Sequence, residues 1–302
     1  MKEKLIVITG PTASGKTTLS VELALKFNGE IINADASQVY KYLDIGTAKI
    51  TKDEMKGIIH HLIDFLDPHD NFSIKDYQEL ARKTILDIIA RGKVPFLVGG
   101  SGLYINSVIT NYQLDGPPRD INFEQQFENL SNDELYELLK HKDEKIANTV
   151  HPNNRRRVLR KLQLLELNYP IPMDNDEYLY DVLLINLVWN RNKLYQRINE
   201  RTIQMFNNGW LAEARWLVEN GYDLTKVNGI GYLEILKYLN NEISFDDLIQ
   251  SIQQKIRRYA KRQITWIKNQ FDTFDIKVDE ENFQNTINEA SKLIQDFLNN
   301  KN

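Results

Sequence analysis

The sequence predicts an α/β protein: a phosphate-loop (P-loop NTPase-like) core with a central parallel sheet flanked by helices, plus a small all-helical insertion domain. Three observations carry this. Apolar runs at residues 5–8, 30–34, 94–98 and 180–188 alternate with amphipathic segments, as in sheets covered on both faces. The first run leads into a glycine-rich turn that opens a helix. Between residue 115 and about residue 175 the pattern thins to short polar helices, and a strand pattern then resumes. The expected division is a core of residues 1–115 and 178–302, interrupted by an insertion at 116–177.

The turn after the first strand reads Gly10, Pro11, Thr12, Ala13, Ser14, Gly15, Lys16, Thr17, which fits G-x-x-x-x-G-K-[ST]. The glycines let successive N–H groups converge on one concavity at a helix N-terminus, where unpaired donors and the helix dipole favour an anion. Lys16 adds a point charge, and the Thr17 hydroxyl can hold Mg2+. The expected ligand is a di- or triphosphate. The loop specifies neither ATP nor hydrolysis.

The second strand ends at Ala34 and is followed by Asp35, Ala36, Ser37, Gln38, Val39 and Tyr40. Strand carboxyl ends face the ligand crevice in open α/β sheets, so Asp35 is placed beside the loop as a general base or a Mg2+ ligand. A helix N-cap is the alternative use of an aspartate there. His60 and His61 are adjacent, point to different faces, and so read as packing or hydrogen-bonding residues. Helical spacing spans residues 72–90, with Asn71 and Ser73 as candidate caps and Gly92 as the stop. Residues 94–98 form a third strand, and Gly99, Gly100, Ser101 and Gly102 form a second glycine-rich strand-to-helix turn. Its amides and the Ser101 hydroxyl are expected to reach the same crevice.

The insertion carries a first basic cluster, Arg155, Arg156, Arg157, Arg160 and Lys161, just after Pro152. Pro170, Pro172, Asp174, Asn175, Asp176 and Glu177 read as the return linker to the strand at 180–188. Residues 194–218 read as one long helical region with Arg191, Arg197 and Arg201 on or near one side, and Gly229, Ile230, Gly231 and Tyr232 as a turn before another helix. A second basic element has Lys255, Arg257, Arg258, Lys261, Arg262 and Lys268 with no acid between 255 and 268. Ile256, Ala260, Ile264 and Ile267 are its expected buried stripe, and Tyr259 and Trp266 interleave aromatic surface. Residues 272–296 read as an acidic tail.

Composition bounds the partners. The chain has 302 residues, 42% apolar, no cysteine and a net charge of −4. Disulfides and thiolate metal sites are excluded, and a reducing, cytoplasmic location is expected. Apolar runs fall short of the ~20 residues of a membrane span, and the first strand begins too early to leave room for a signal peptide. An acidic chain with two concentrated basic helices fits RNA. These residues leave open a nucleotide or small-molecule kinase, which would use the loop and the arginines at 191–201. They also leave open a non-catalytic RNA-binding module whose loop is only a switch.

Over essentially its whole length the chain resembles the bacterial tRNA dimethylallyltransferases. The resemblance rests on the loop at 10–17, Asp35 with Gln38, Val39 and Tyr40, the runs at 44–49 and 60–64, the turn at 99–104, residues 151–157, Gly231 with Tyr232, and residues 259–266. The resemblance implies transfer of a dimethylallyl group from dimethylallyl diphosphate to N6 of adenosine 37, next to the anticodon of a tRNA, with Mg2+. It implies Asp35 as general base, and Lys16, Thr17, Ser101 and Arg201 as groups holding the diphosphate. It implies tRNA contacts from residues 35–38, Arg156, Arg157, Arg160, Gly231, Tyr232, Arg258, Lys261, Arg262 and Gln263, on the anticodon stem-loop, by a monomer. A transferase acting on free AMP or ATP is the nearest variant. Ala36 stands where the family usually has serine, Ser101 where it has threonine, and Glu124 about where arginine is common.

Overall fold

The computed structural model describes residues 2–114, 116–171 and 177–300. Asp115, Pro172, Asp174, Asn175 and Asp176, assigned above to the edges of the insertion, lie outside the described residues. Two compact units appear: residues 1–111 with 177–302, and residues 112–176.

In the larger unit the elements are β1 (Lys4–Thr9), α1 (Lys16–Lys26), β2 (Gly29–Asn33), β3 (His60–His61), α2 (Ile74–Ala90), β4 (Val94–Val98) and α3 (Gly102–Ile109). After the insertion come β5 (Asp181–Val188), then helices at Arg191–Asn207, Trp210–Glu219, Tyr232–Leu239 and Phe245–Gln270, the strand Phe274–Lys277 and the helix Phe283–Asn299. With α4 to α7 kept for the insertion, these helices are α8 to α12 and the last strand is β6.

The sheet is parallel throughout, in the order β3-β2-β4-β1-β5-β6. Its pleat sorts the core. Leu5, Val7, Ile32, Leu97 and Leu184 pack on α2, α3 and the end of α11. Ile6, Ile8, Ile31, Phe96 and Ile185 pack on α1 and α12. Burial of both faces explains why these strands read as continuous apolar runs rather than alternating ones. The registers Ile8 with Val98, Asn33 with Val98 and Thr9 with Asn186 end four strands at one level. The loops after them therefore open on one edge.

Helix α2 begins as its sequence suggests: Ser73 caps it and forms a capping box with Asp76, and Gly92 follows its end with φ 71°. His61 Nε2 pairs with the buried Glu30 carboxylate at 2.7 Å, which Arg91 and Lys93 also hold. The region at 194–218 is two helices, broken by Gly209 at φ 101°. The acidic tail is a correction of a larger kind. It forms β6 and α12, because Phe283, Ile287, Ala290, Ile294 and Phe297 make an apolar stripe that covers the sheet.

The insertion unit holds α4 (Ile121–Gln125), α5 (Asn132–Lys142), α6 (Glu144–Ala147) and α7 (Arg155–Glu166). Leu135, Leu139, Ala147, Val150, Val158, Leu159 and Leu162 form its own small core.

Candidate functional site

The phosphate loop owes its shape to left-handed backbone at Ala13 (φ 65°) and Gly15 (φ 90°), with Gly10 at φ 146°. A Cβ on Gly10 would meet Leu187 O at 3.1 Å, a tight contact that adds to the conformational demand for glycine. Neighbouring elements pin the loop. Trp189, just past β5, donates its indole N–H to Ser14 O at 3.0 Å, and the Arg197 guanidinium lies 4.6 Å from the Trp189 ring. Arg197 also donates to Ala13 O at 3.2 Å, and Arg201 donates to Thr12 Oγ1. Ser14 Oγ is buried and has no hydrogen-bond partner among the described residues, an acceptor and donor left for a ligand.

Residues 12–15, Arg197 and Arg201 line a cavity of about 440 Å³ that also takes in Lys16, Asp35, Gln38 and Gln263. Lys16 Nζ donates to Gly10 O at 3.0 Å and Pro11 O at 2.7 Å. Burial lowers its pKa to about 8, against a raising contribution from the Asp35 charge and a lowering one from Arg201. Burial likewise brings Arg201 down to about 10, with Asp35 again opposing. Lys16 and Arg201, both desolvated at this cavity, present their charge to an anionic ligand such as a polyphosphate.

Asp35 sits in a compact turn after β2. Its amide donates to Asn33 Oδ1 at 3.1 Å, and its Oδ1 accepts the Ser37 amide at 3.0 Å and the Ser37 hydroxyl at 2.6 Å. The aspartate is thus held by an Asx-type turn, not spent as a helix cap. Ser101 stands behind it, its Oγ accepting the Ala36 amide at 3.1 Å. Gln38 donates to Thr47 O and Ala48 O at 3.0 and 3.2 Å, tying the loop at 44–49 to the cavity wall.

The sequence-derived nucleic-acid residues separate into exposed and internal ones. Arg258, Lys261 and Arg262 are exposed along α11, and Arg258 and Arg262 line a second cavity with Gly231. In the insertion, Arg156 and Arg157 are exposed, whereas Arg160 is engaged by Pro117 O at 2.7 Å and Gln163 Oε1 at 2.9 Å. Arg155 turns inward onto Leu130 O, and Glu124 pairs with Arg119. Two assignments need correction. Tyr232 is fully buried, with its hydroxyl donating to Glu213 at 2.6 Å, so its side chain is a core element. The α11 stripe contains Gln263, not Ile264. Ile264 is 43% exposed and Gln263 5%. The helix turns slightly from the face that apolar spacing alone selects, because Gln263 has buried partners.

Sequence reasoning misses Glu213 and Trp189 as functional supports. Glu213 accepts the amides of Asp44, Ile45 and Gly46 at 2.9, 2.6 and 3.0 Å, shaping the cavity-side loop from another helix. A lone glutamate on an amphipathic helix carries no sequence signal of that task. Trp189 does carry one: it lies directly past a parallel strand, where sites collect.

Fold and site together define a phosphate-loop α/β protein with an anion cavity that also holds a carboxylate. A model of the family described as IPP transferase matches residues 38–270. The chain belongs to this enzyme family. It is 45% identical over 303 residues to a tRNA dimethylallyltransferase of Anoxybacillus flavithermus, covering 98% of this chain and 97% of the relative. It is 41% identical to that of Staphylococcus aureus, covering 97% and 99%. A crystal structure of the tRNA isopentenylpyrophosphate transferase of Bacillus halodurans is 41% identical with TM-score 0.75, over 98% of this chain and 97% of that one. A eukaryotic dimethylallyltransferase acting on tRNA is 30% identical with TM-score 0.84, over 99% of this chain and 80% of that one.

Proposed function

We propose that the chain transfers a dimethylallyl group from dimethylallyl diphosphate to N6 of adenosine 37 in tRNA. The observation that carries this is Asp35 in one cavity with Lys16 and Arg201. A carboxylate beside the diphosphate site suits removal of a proton from an attacking amine, which a mere phosphate switch does not need. The named activities of the relatives agree with it.

In this reading the diphosphate rests on the amides of Ala13 and residues 15–17, since Pro11 has no N–H and the Thr12 amide is given to Gln263. Lys16, Thr17 and Arg201 bind it, and Ser101 holds the Asp35 turn through Ala36. The N6 amine attacks C1 of the prenyl group and the C1–O bond breaks. Its electron pair leaves with the diphosphate, and Asp35 accepts the N6 proton. Lys16 and Arg201 stabilise the charge that develops on the leaving group. A flipped-out adenine is required, since its amine is otherwise inside the stack.

Mg2+ fits the residues present in a limited way. Thr17 offers an exposed hydroxyl at the cavity, while no group of three or more His, Cys, Asp or Glu side chains forms a cage among the described residues. Such a set suits an ion that takes one protein oxygen and its other ligands from diphosphate and water. Bound there, the ion would neutralise charge on the leaving diphosphate.

The test is transfer of labelled dimethylallyl from its diphosphate to unmodified tRNA carrying A36 and A37, beside AMP, with and without Mg2+. Label in tRNA alone is expected. Label in AMP would move the acceptor to free nucleotide, and ATP-dependent phosphorylation without transfer would restore the kinase reading.

A further inference from the structure

Helix α11 has two working sides. Arg258, Lys261 and Arg262 are exposed on one. On the other, Gln263 reaches both glycine-rich turns at once. Its Oε1 accepts the Thr12 amide of the phosphate loop at 2.8 Å, and its Nε2 donates to Gly100 O of the second turn at 2.9 Å. The fit is close: a Cβ on Gly100 would lie 2.2 Å from Gln263 Nε2, and one on Gly102 would lie 2.1 Å from the Trp266 ring. Glycine at these positions is therefore demanded by the helix that packs on them, not by turn conformation.

The chemistry of the contact selects the residue. It needs an acceptor and a donor on one planar group at one reach. Glutamate lacks the donor, lysine and arginine lack the acceptor, asparagine is one methylene short, and methionine offers neither. A buried amide in an apolar stripe is costly unless both ends are satisfied, and here both are.

We propose that Gln263 is a positioning residue that fixes the donor-binding loop against the second glycine turn, and that it serves the diphosphate rather than the RNA. The same rigid helix carries the exposed arginines, so the side that meets RNA and the loop that meets the donor are held in register by one side chain. The inference rests on the reaction proposed above for its meaning. Its test does not require that reaction.

The experiment measures binding of inorganic diphosphate with Mg2+ and of unmodified tRNA, separately, to wild type, Gln263→Met and Gln263→Glu. Hydrogen exchange at the Thr12 amide is followed in each. Gln263→Met should weaken diphosphate binding about tenfold or more, speed exchange at Thr12, and leave tRNA affinity within about twofold. In turnover the donor KM should rise more than kcat falls. Gln263→Glu keeps the acceptor for Thr12 but sets a carboxylate against Gly100 O, so it should protect Thr12 and still bind diphosphate poorly. It covers the case in which the methionine variant does not fold. Unchanged diphosphate affinity in either folded variant overturns the proposal, as does a loss of tRNA affinity alone. If wild type binds diphosphate but prenylates no tRNA, the proposed function fails while the assignment of Gln263 is still judged by the diphosphate arm.

Discussion

Ser37 gives both its amide and its hydroxyl to a single oxygen of Asp35, Oδ1, at 3.0 and 2.6 Å. The arrangement orients the carboxylate and leaves the other oxygen as the natural proton acceptor. It also bears on Ala36, which has no hydroxyl: the neighbouring one, a residue on, serves the aspartate directly. Asp35→Asn should lower kcat by about 10²–10⁴, the range of general-base catalysis, with tRNA affinity and melting temperature nearly unchanged. Ser37→Ala should cost far less, about 3- to 10-fold, the scale of one hydrogen bond. Equal losses of turnover and tRNA binding in Asp35→Asn would make the residue structural.

Lys16 gives the donor site a pH dependence. Its pKa, lowered by burial to about 8, means the cation proposed to hold diphosphate is present below that pH and is lost above it. Donor affinity should therefore be steady from pH 6 to about 7.5 and weaken as pH rises through about 8 to 9. Lys16→Met should bind weakly at every pH and lose that decline. A wild-type profile as flat as that of the methionine variant would remove Lys16 from the donor site. For folding the sign is opposite. The unfolded chain holds this proton more tightly, so stability should rise between about pH 8 and 10.5.

Much of this site is legible in the sequence because its parts are local. The phosphate loop, the Asp35 position and the second glycine turn each follow a strand end, and the rule that strand carboxyl ends carry function brings them to one edge. What is not legible is joined across long separations. Gln263 and Thr12 are 251 residues apart, and a polar side chain inside a helical stripe reads as the stripe's border. Hence apolar spacing puts Ile264 inside and leaves Gln263 out. The sixth strand escapes sequence reading for a different reason: acidic residues around 272–296 mask the apolar positions of β6 and α12. Tyr232 enters the tRNA-contacting set through the family resemblance, which says nothing of burial, and the structure packs Gly231 under Trp210 and the Tyr232 ring in the core.

The arginines of α11 should act through charge. Arg258 and Arg262 are exposed, and the Arg262 guanidinium lies 5.8 Å from the Tyr259 ring. Replacing both by glutamine should weaken tRNA binding at low salt and reduce the slope of log affinity against log salt by about 1 for each phosphate no longer neutralised. Diphosphate affinity should hold. An unaltered slope would make this face an ordinary solvated one. Arg160 offers the contrast, since its guanidinium is engaged inside the insertion unit. Arg160→Gln should destabilise that unit and change the salt slope little.

Tyr232 and Glu213 test the corrected assignment directly. Glu213 accepts three backbone amides from residues 44–46 and the Tyr232 hydroxyl, and burial beside this carboxylate holds the phenol well above its usual pKa. Tyr232→Phe removes one hydrogen bond to a charged acceptor while keeping the ring, so it should cost about 1.5–3 kcal/mol. That corresponds to a fall in melting temperature of about 3–10 °C. Affinities for tRNA and diphosphate should stay within about twofold, because the ring is fully buried. Glu213→Ala orphans three amides as well and should be worse, loosening the loop whose Thr47 and Ala48 line the cavity, so that donor KM rises along with the loss of stability. Gly46→Ala should resemble it, since a Cβ there would lie 2.2 Å from Trp210 Nε1 and 2.4 Å from the Tyr232 hydroxyl. If Tyr232→Phe instead keeps full stability and loses tRNA affinity, the hydroxyl leaves Glu213 when RNA binds, and the residue returns to the RNA-contacting set.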